Sequence, residues 1–311
     1  MDRVEVVLSG LTRNSVEGMS VIALRSEEPH VSAAGASPIF QRCDGTSELR
    51  FTRRDGVTCL AHLFQRAPCR VLFPNFPTDD LPLAALLTTS GGLAGGDRTQ
   101  IALGAENGAK AVVTTQAAEK IYRSLGADTR VDIALTVDAE SWLEWIPQET
   151  ILFDCARLVR HTTADIDPRG RLLAAEMIVF GRTARGERTS TGLLHDRWTL
   201  RIAGRLVWVD AIRLDGDIAG RLDAPAGFDG ATAMATAIYV GSNAASLLPL
   251  AHALALDSDA RAGATLVDRV LLARFLGKDA RILRADLARY IAGIRRAAAG
   301  LPARMPRLWQ C

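Results

Sequence analysis

The sequence predicts a mainly β protein that carries about two α-helices in its C-terminal part. From Glu48 onward, short apolar runs alternate with turn residues, a pattern that is typical of successive strands. Close to the C-terminus the spacing of apolar residues changes to three and four, which is the period of one helix face. No linker divides the chain. We therefore predict a single domain over residues 41–311, preceded by a poorly ordered extension or a weak pair of strands over residues 1–40.

Three segments have the composition of individual strands. Residues 131–137 alternate Val, Ile and Leu with Asp, Ala and Thr, and a period of two marks a strand with one buried face. Residues 171–180 are almost wholly apolar, which predicts a strand buried on both faces. Residues 232–240 are predicted to form a further strand, whereas residues 267–276 fit a strand or a helix equally well.

Turn residues predict two hairpins. The runs at 100–103 and 109–115 are joined through Asn107-Gly108, and both central residues of such a turn favour positive φ. The runs at 198–202 and 206–214 are joined through an Ala-Gly-Arg turn.

The block TTQAAEKIYRS at residues 114–124 is predicted to be a strand that passes into a turn of helix.

Two helices are predicted near the end of the chain. Residues 279–299 place apolar side chains at helical spacing, and Gly300 follows as a stop. An earlier helix is predicted to end at Ala255, with Ser242 or Asn243 as its N-cap, because a short polar side chain accepts hydrogen bonds from the free amides of the first turn.

Composition narrows the class of protein. The 311 residues have a net charge of only +2, which disfavours nucleic acid and anionic membranes as partners. The five cysteines are an odd number and form no C-x-x-C motif, which indicates reduced thiols in a cytoplasmic protein. The N-terminus does not show the basic segment followed by an apolar segment that is typical of a signal peptide. Residues 230–256 carry no formal charge, but Gly241 and Pro249 interrupt them, so we predict a strand and a helix rather than a membrane span.

The glycine-rich loop Gly91–Asp97 is a candidate phosphate-binding loop by its composition. It lacks the Gly-Lys-Ser/Thr ending of a P-loop and does not open a helix, so a nucleotide site is the minor alternative. The main interpretation is a tight turn in which glycines let two backbones approach closely. Asp97 would then hold the turn through its own hydrogen bonds.

Three carboxylates lie inside apolar strand patterns: Glu144, Glu176 and Asp210. A buried carboxylate without a partner costs several kcal/mol, so each requires an arginine, water, a metal or a shifted pKa. One interpretation is three separate salt bridges to arginines such as Arg123 or Arg213. The other is a shared polar passage inside the β body, whose oxygen ligands would suit a divalent cation in transit. The sequence leaves both open.

Sequence motifs for a stored metal or a nucleophile are absent. No histidine has a second histidine or cysteine at metal-ligand spacing, which favours transit or weak binding over storage. G-x-S-x-G is missing as well, so a hydrolase that uses His195 is only a third hypothesis. We expect Gly192–Asp196 to form a turn rather than a catalytic pair of His195 and Asp196.

Six segments, in this order, resemble the urease accessory protein D family (UreD, also called UreH). They are RVLFP at 70–74, GGLAGGD at 91–97, TTQAAEKIYRS at 114–124, LEWIPQETILFD at 143–154, EMIVFGRTARGE at 176–187 and PRLW at 306–309. The resemblance implies a mainly β fold, a β-helix-like stack of sheets with a pair of helices. It also implies a non-enzymatic protein that binds UreF, recruits the GTPase UreG through UreF, and docks on apo-urease.

The same resemblance implies that nickel passes through the protein transiently and that no cofactor is resident. Carried over by motif, the polar residues expected nearest that route are Asp97, Glu144, Gln148, Glu149, Glu176 and Glu187. The alternative is a purely structural urease chaperone without a nickel conduit. Cys155 departs from the family pattern, in which a small residue such as Gly is expected after Asp154.

Overall fold

Two stacked β-sheets form the body of the protein, and helices cover one of them. The computed structural model describes residues 42–75, 77 and 79–310, so the predicted extension over residues 1–40 lies outside the described residues. The strands are β1 (Asp44–Arg54), β2 (Val57–Arg66), β3 (Cys69–Leu72), β4 (Leu83–Thr88), β5 (Arg98–Ala105), β6 (Lys110–Thr115), β7 (Glu119–Ile121), β8 (Thr129–Val137), β9 (Trp142–Trp145), β10 (Thr150–Leu152), β11 (Arg157–Ile166), β12 (Arg171–Phe180), β13 (Thr191–Ile202), β14 (Arg205–Asp217), β15 (Ala233–Val240), β16 (Arg261–Val267) and β17 (Val270–Gly277).

The chain winds between the two sheets. The seven-stranded sheet has the order β14-β13-β11-β8-β5-β1-β2, and the ten-stranded sheet runs β16-β17-β15-β12-β9-β6-β4-β3, with β10 beside β12 and β7 beside β10. Strands β5, β8, β11 and β13 pair in parallel in the first sheet, and β4, β6, β9 and β12 pair in parallel in the second. Between β4 and β13 the chain crosses repeatedly from one sheet to the other, which confirms the predicted stacked, β-helix-like body.

This winding corrects the first predicted hairpin. Asn107 and Gly108 adopt positive φ of 54° and 79°, as predicted for a turn. However, β5 belongs to the seven-stranded sheet and β6 to the ten-stranded sheet, so the turn carries the chain across the stack. The second hairpin prediction is correct, because β13 pairs antiparallel with β14 through Ala203 and Gly204.

Two apolar layers hold the stack together. Between the sheets, Leu103 and Ile133 of the seven-stranded sheet pack with Trp145 and Leu172 of the ten-stranded sheet. On the far side of the ten-stranded sheet, residues such as Leu173 pack against the helices. Strand β12 is therefore buried on both faces, as its almost continuous apolar sequence predicted.

The described part of the chain contains three α-helices: α1 (Ile218–Asp223), α2 (Leu248–Leu256) and α3 (Ala280–Ala299). The prediction of α3 is confirmed. The Asp279 side chain caps it by accepting from the amides of Arg281 and Ile282, and Gly300 ends it in the left-handed conformation at φ 66°. The cap predicted for α2 is wrong, because a 3₁₀ turn at Ala245–Leu247 precedes the helix and its N-cap has no side-chain hydrogen bond.

Three further local predictions are resolved. Residues 267–276, which fitted either element, lie mainly in β17. Residues 114–124 contain β7 rather than a turn of helix, because β10 pairs with this segment in parallel. The predicted turn at Gly192–Asp196 is also wrong, since these residues lie within β13. No described helix has both the length and the apolar character needed to cross a membrane.

Candidate functional site

A cavity of about 250 Å³ lies between the two sheets. Its apolar wall includes Ile101 and Ile133 from the seven-stranded sheet and Trp145 from the ten-stranded sheet. Polar groups interrupt this wall, among them Glu119 and Arg160. A polar lining at the centre of a β stack is costly unless each group has a partner, so the contacts of these residues define the site.

The glycine loop forms one side of this cavity. Gly92, at φ 152°, lies so close to Tyr122 that an added Cβ would be 2.7 Å from the ring atom Cε2. Asp97 is buried, and its carboxylate accepts from the amides of Cys43 and Ala94, each at 2.8 Å. These contacts support the interpretation of the loop as a tight turn that Asp97 holds, with glycine permitting the close approach.

Glu119 is a half-buried carboxylate that the sequence patterns did not indicate. It lines the cavity, and its Oε2 accepts from the Thr88 hydroxyl at 2.8 Å. Burial raises the pKa of Glu119, and the hydrogen bond from Thr88 opposes that rise. The block TTQAAEKIYRS carries no strand-like alternation, so the sequence offered no sign that this carboxylate points inward.

The central element of the site is Arg160, whose buried guanidinium lies between two carboxylates. Its Nε and Nη2 donate to Asp196 at 2.9 and 2.6 Å, and Nη2 lies 2.9 Å from Glu176 Oε2. Its Nη1 donates to the Thr150 hydroxyl at 3.3 Å. Trp198 Nε1 donates to Glu176 at 2.8 Å. One arginine therefore serves two carboxylates.

That imbalance of charge affects the protonation of the cluster. Burial raises the pKa of Glu176, the positive charge of Arg160 opposes that rise, and the charge of Asp196 adds to it, so that the pKa is raised to about 7. Because one guanidinium cannot neutralise two ionised carboxylates, Glu176 exchanges a proton in the physiological range. A carboxyl group of this kind can release its proton in favour of a cation.

A second, smaller cavity of about 20 Å³ lies on the other side of the same carboxylates. Glu176 and Asp196 line it together with Asp210 and Arg274. Arg274 donates to Asp210 at 2.5 Å, and the Arg274 side chain is 48% exposed. A polar row therefore leads from the larger cavity past Arg160 and Glu176 to Asp210, which lies close to solvent.

Glu144 lies on the opposite face of the ten-stranded sheet from Glu176. It pairs in register with Leu173, which belongs to the layer against the helices, so the two carboxylates do not meet. Its Oε1 accepts from Arg295 Nε and from Trp142 Nε1, both at 2.8 Å. Burial raises the pKa of Glu144, opposed by Arg295. Of the described atoms, none bonds its Oε2.

The convergence of all three strand carboxylates, one of the two interpretations that the sequence left open, therefore does not occur. Glu144, Glu176 and Asp210 are each paired with a different arginine, namely Arg295, Arg160 and Arg274. The salt-bridge interpretation is supported, but none of the arginines that the sequence suggested is involved. Glu176 and Asp210 alone among the three share a cavity.

The remaining predicted residues stabilise neighbouring loops and the C-terminal tail. Gln148 donates to the carbonyl of Leu308 at 2.6 Å and accepts from Arg284, and Glu149 lies 3.7 Å from the same arginine. Glu187 pairs with Arg182 and accepts from the amide of Asp154. The hydrogen bond from Arg182 lowers the pKa of Glu187.

The geometry also bears on the hydrolase hypothesis. Adjacent strand residues point to opposite faces, and here Asp196 is buried while the His195 ring contacts His161 on the outer face. His195 and Asp196 thus form no catalytic pair. Within residues 42–75, 77 and 79–310, no group of three or more His, Cys, Asp or Glu side chains is arranged to hold a metal ion.

Comparisons with known proteins agree with the motifs. The family model described as "UreD urease accessory protein" matches residues 43–310. A protein from Magnetococcus marinus named "Urease accessory protein UreD" is 44% identical over 274 residues, covering 86% of this chain and 94% of the relative. "Urease accessory protein UreD 3" of a Bradyrhizobium strain is 41% identical, covering 89% and 98%. On this evidence, the chain belongs to the UreD family of urease accessory proteins.

Proposed function

We propose that this protein is a non-enzymatic maturation factor that carries Ni²⁺ transiently toward the active site of urease. In this proposal it is a cytoplasmic scaffold that binds UreF, recruits UreG through UreF, and docks on apo-urease. It needs neither nucleic acid, nor a membrane, nor a resident cofactor. The observation that carries the proposal is the polar row between the two sheets, which runs from Glu119 past Arg160 and Glu176 to Asp210.

The chemistry of this row suits a cation that must not remain bound. Carboxylate oxygens ligate divalent cations, whereas imidazole and thiolate clusters would hold Ni²⁺ more tightly. The carboxyl of Glu176 exchanges its proton near pH 7, so an arriving cation can replace that proton. Arg160 opposes entry by its charge, and we propose that it must loosen its contact with Glu176 as Ni²⁺ passes.

We propose a different set of residues for the route from the one that the sequence motifs suggested. Glu176 stays within it, joined by Glu119 and Asp196. Glu144 lies behind the ten-stranded sheet, and Glu149 and Glu187 are engaged by arginines at loops and the C-terminal tail. Asp97 holds the loop beside the larger cavity. We propose that these four residues support the route rather than ligate the cation.

The test is to replace Glu176 by Gln and, separately, Asp196 by Asn in a system that co-expresses UreF, UreG and urease. We expect the complex to assemble, because the amide oxygen of Gln at 176 can still accept from Arg160 and Trp198, and the amide oxygen of Asn at 196 can still accept one hydrogen bond from Arg160. Nickel content and urease activity, normalised to assembled complex, should fall at least about tenfold (roughly 1.4 kcal/mol in free energy). Glu187→Gln is the matched control and should leave nickel content unchanged.

A structural chaperone without a conduit is the second candidate. The observation in its favour is that Glu144, Glu176 and Asp210 each have an arginine partner. Full nickel loading of complexes that carry Glu176→Gln or Asp196→Asn would support this candidate and contradict the route. Loss of assembly together with activity would show that the cluster is a structural ion pair.

A further inference from the structure

Two histidines lie together on the outer face of the seven-stranded sheet, away from both cavities. His161 alternates with the buried residues Arg160 and Thr162 along β11, and His195 alternates with Leu194 and Asp196 along β13. Both imidazoles therefore point outward. Their ring centroids are 5.8 Å apart and the rings are nearly perpendicular, at 83°. The pair is reachable from solvent, since His161 is exposed and His195 is half-buried.

The neighbouring strands add charges of both signs. Asp132 on β8 lies in register with His161, so its side chain is on the same outer face. The Asp132 carboxylate accepts a hydrogen bond from Arg98 at 3.0 Å. Arg197 is the neighbour of His161 on β13, and Arg213 is the neighbour of His195 on β14. Arg213 is paired with Asp215 at 2.6 Å, which offsets part of its charge.

Two imidazoles at this separation can bind a single ion after small rotations of the side chains. Imidazole nitrogen is a preferred ligand of Ni²⁺, Cu²⁺ and Zn²⁺, and a pair on adjacent strands is held by the backbone of a rigid sheet. Water completes the coordination of a site that has only two protein ligands.

We propose that His161 and His195 form a two-imidazole surface site for a divalent transition-metal cation. The proposal is independent of the route between the sheets, because both imidazoles face the opposite side of the seven-stranded sheet from Arg160 and Asp196. A cation captured here would be concentrated on the outside of the protein. It would not pass through the cavities directly.

Equilibrium dialysis of the full chain with Ni²⁺ alone tests the site. We expect one Ni²⁺ site to be lost, or weakened at least tenfold, in His161→Ala and in His195→Ala, with no change in the unfolding temperature of the exposed variants. His62→Ala is the matched control, because His62 lies in the same sheet beside Glu48 at 3.1 Å but is itself a single imidazole with a carboxylate.

Cu²⁺ electron paramagnetic resonance gives a second readout that does not depend on counting all sites. The spectrum of the full chain should show two coordinated nitrogens, and each single His→Ala variant should show one. Unchanged Ni²⁺ binding in both variants, or a copper spectrum with the same nitrogen count, would overturn the proposal. So would binding of inorganic phosphate that the same substitutions abolish while Ni²⁺ binding persists, since the face would then be an anion site.

Discussion

Two buried arginines lie on opposite faces of the ten-stranded sheet and have different surroundings. Arg295, on the helix side, donates to Glu144, to Asp80 and to the carbonyls of Pro302 and Arg304. Arg160, between the sheets, serves two carboxylates and a threonine hydroxyl and lies beside a cavity.

This difference indicates that one buried ion pair can have a structural role while another takes part in function. Arg295 also meets two carboxylates, but one of them, Asp80, has a second arginine, Arg304, at 3.4 Å, and Arg295 lines neither of the two cavities described above. Arg160 lies beside a cavity and pairs with both Glu176 and Asp196, which leaves room for a further cation. The surroundings of Arg295 therefore favour a structural role, and those of Arg160 favour the passage of a cation.

The largest expected effect concerns the ion pair of Arg295 with Glu144. Arg295→Met should lower the free energy of unfolding by about 3–5 kcal/mol, because Glu144 would remain buried without its cation. Urea denaturation followed by circular dichroism measures this. Arg281→Met is the control in the same helix, since the Arg281 side chain is 93% exposed, and it should change stability very little. A similar small change for Arg295→Met would remove the distinction between the two sites.

A smaller effect is expected from pH at the cluster around Arg160. The folded-state pKa of Glu176, about 7, is above the ordinary value for Glu of about 4.3. Its contribution to stability is therefore complete below about pH 4.3 and is lost as the pH rises through about 7. The free energy of unfolding should fall between pH 5 and pH 8, by at most about 1.4 kcal/mol per pH unit for this one group.

Urea denaturation of Glu176→Gln across the same pH range checks this assignment. The slope should become shallower but persist, because burial raises the pKa of Glu144 in the same direction. Identical slopes for the variant and the unaltered protein would show that Glu176 keeps its charge and that Arg160 neutralises it.

The smallest expected effect concerns Arg304, and it tests whether exposed ion pairs help to hold the C-terminal tail. Arg304 pairs with Asp79 and lies 3.4 Å from Asp80, but its side chain is 41% exposed. Exposed ion pairs contribute little because water screens them. Arg304→Met should leave the unfolding midpoint unchanged within error. A loss comparable with that of Arg295→Met would show that the tail is held from the surface rather than from the core.

The sequence predicted several local elements and missed much of the site. Asp196 lies between Leu194 and Trp198 in a strand-like alternation, which would have placed it inward, but the preceding glycine favoured a turn. Arg160 gave no comparable indication. An arginine in an amphipathic strand normally lies on the exposed face, and only the two facing carboxylates explain its burial.

By itself, the sequence determined what depends on near neighbours. The alternation of β8, the doubly buried β12, and α3 with Asp279 and Gly300 at its ends all follow from interactions within a few residues. The positive φ of Asn107 and Gly108 is local in the same sense. These features needed no knowledge of the fold.

The tertiary structure alone decided which sheet each strand joins and which arginine meets each carboxylate. Arg295 and Glu144 are 151 residues apart in sequence, and Arg160 and Asp196 are 36 apart. The side of a sheet that a carboxylate faces is set by register with neighbouring strands, and shifting the register by one residue would reverse it. Composition and spacing do not fix that register, because it results from packing the whole stack at once.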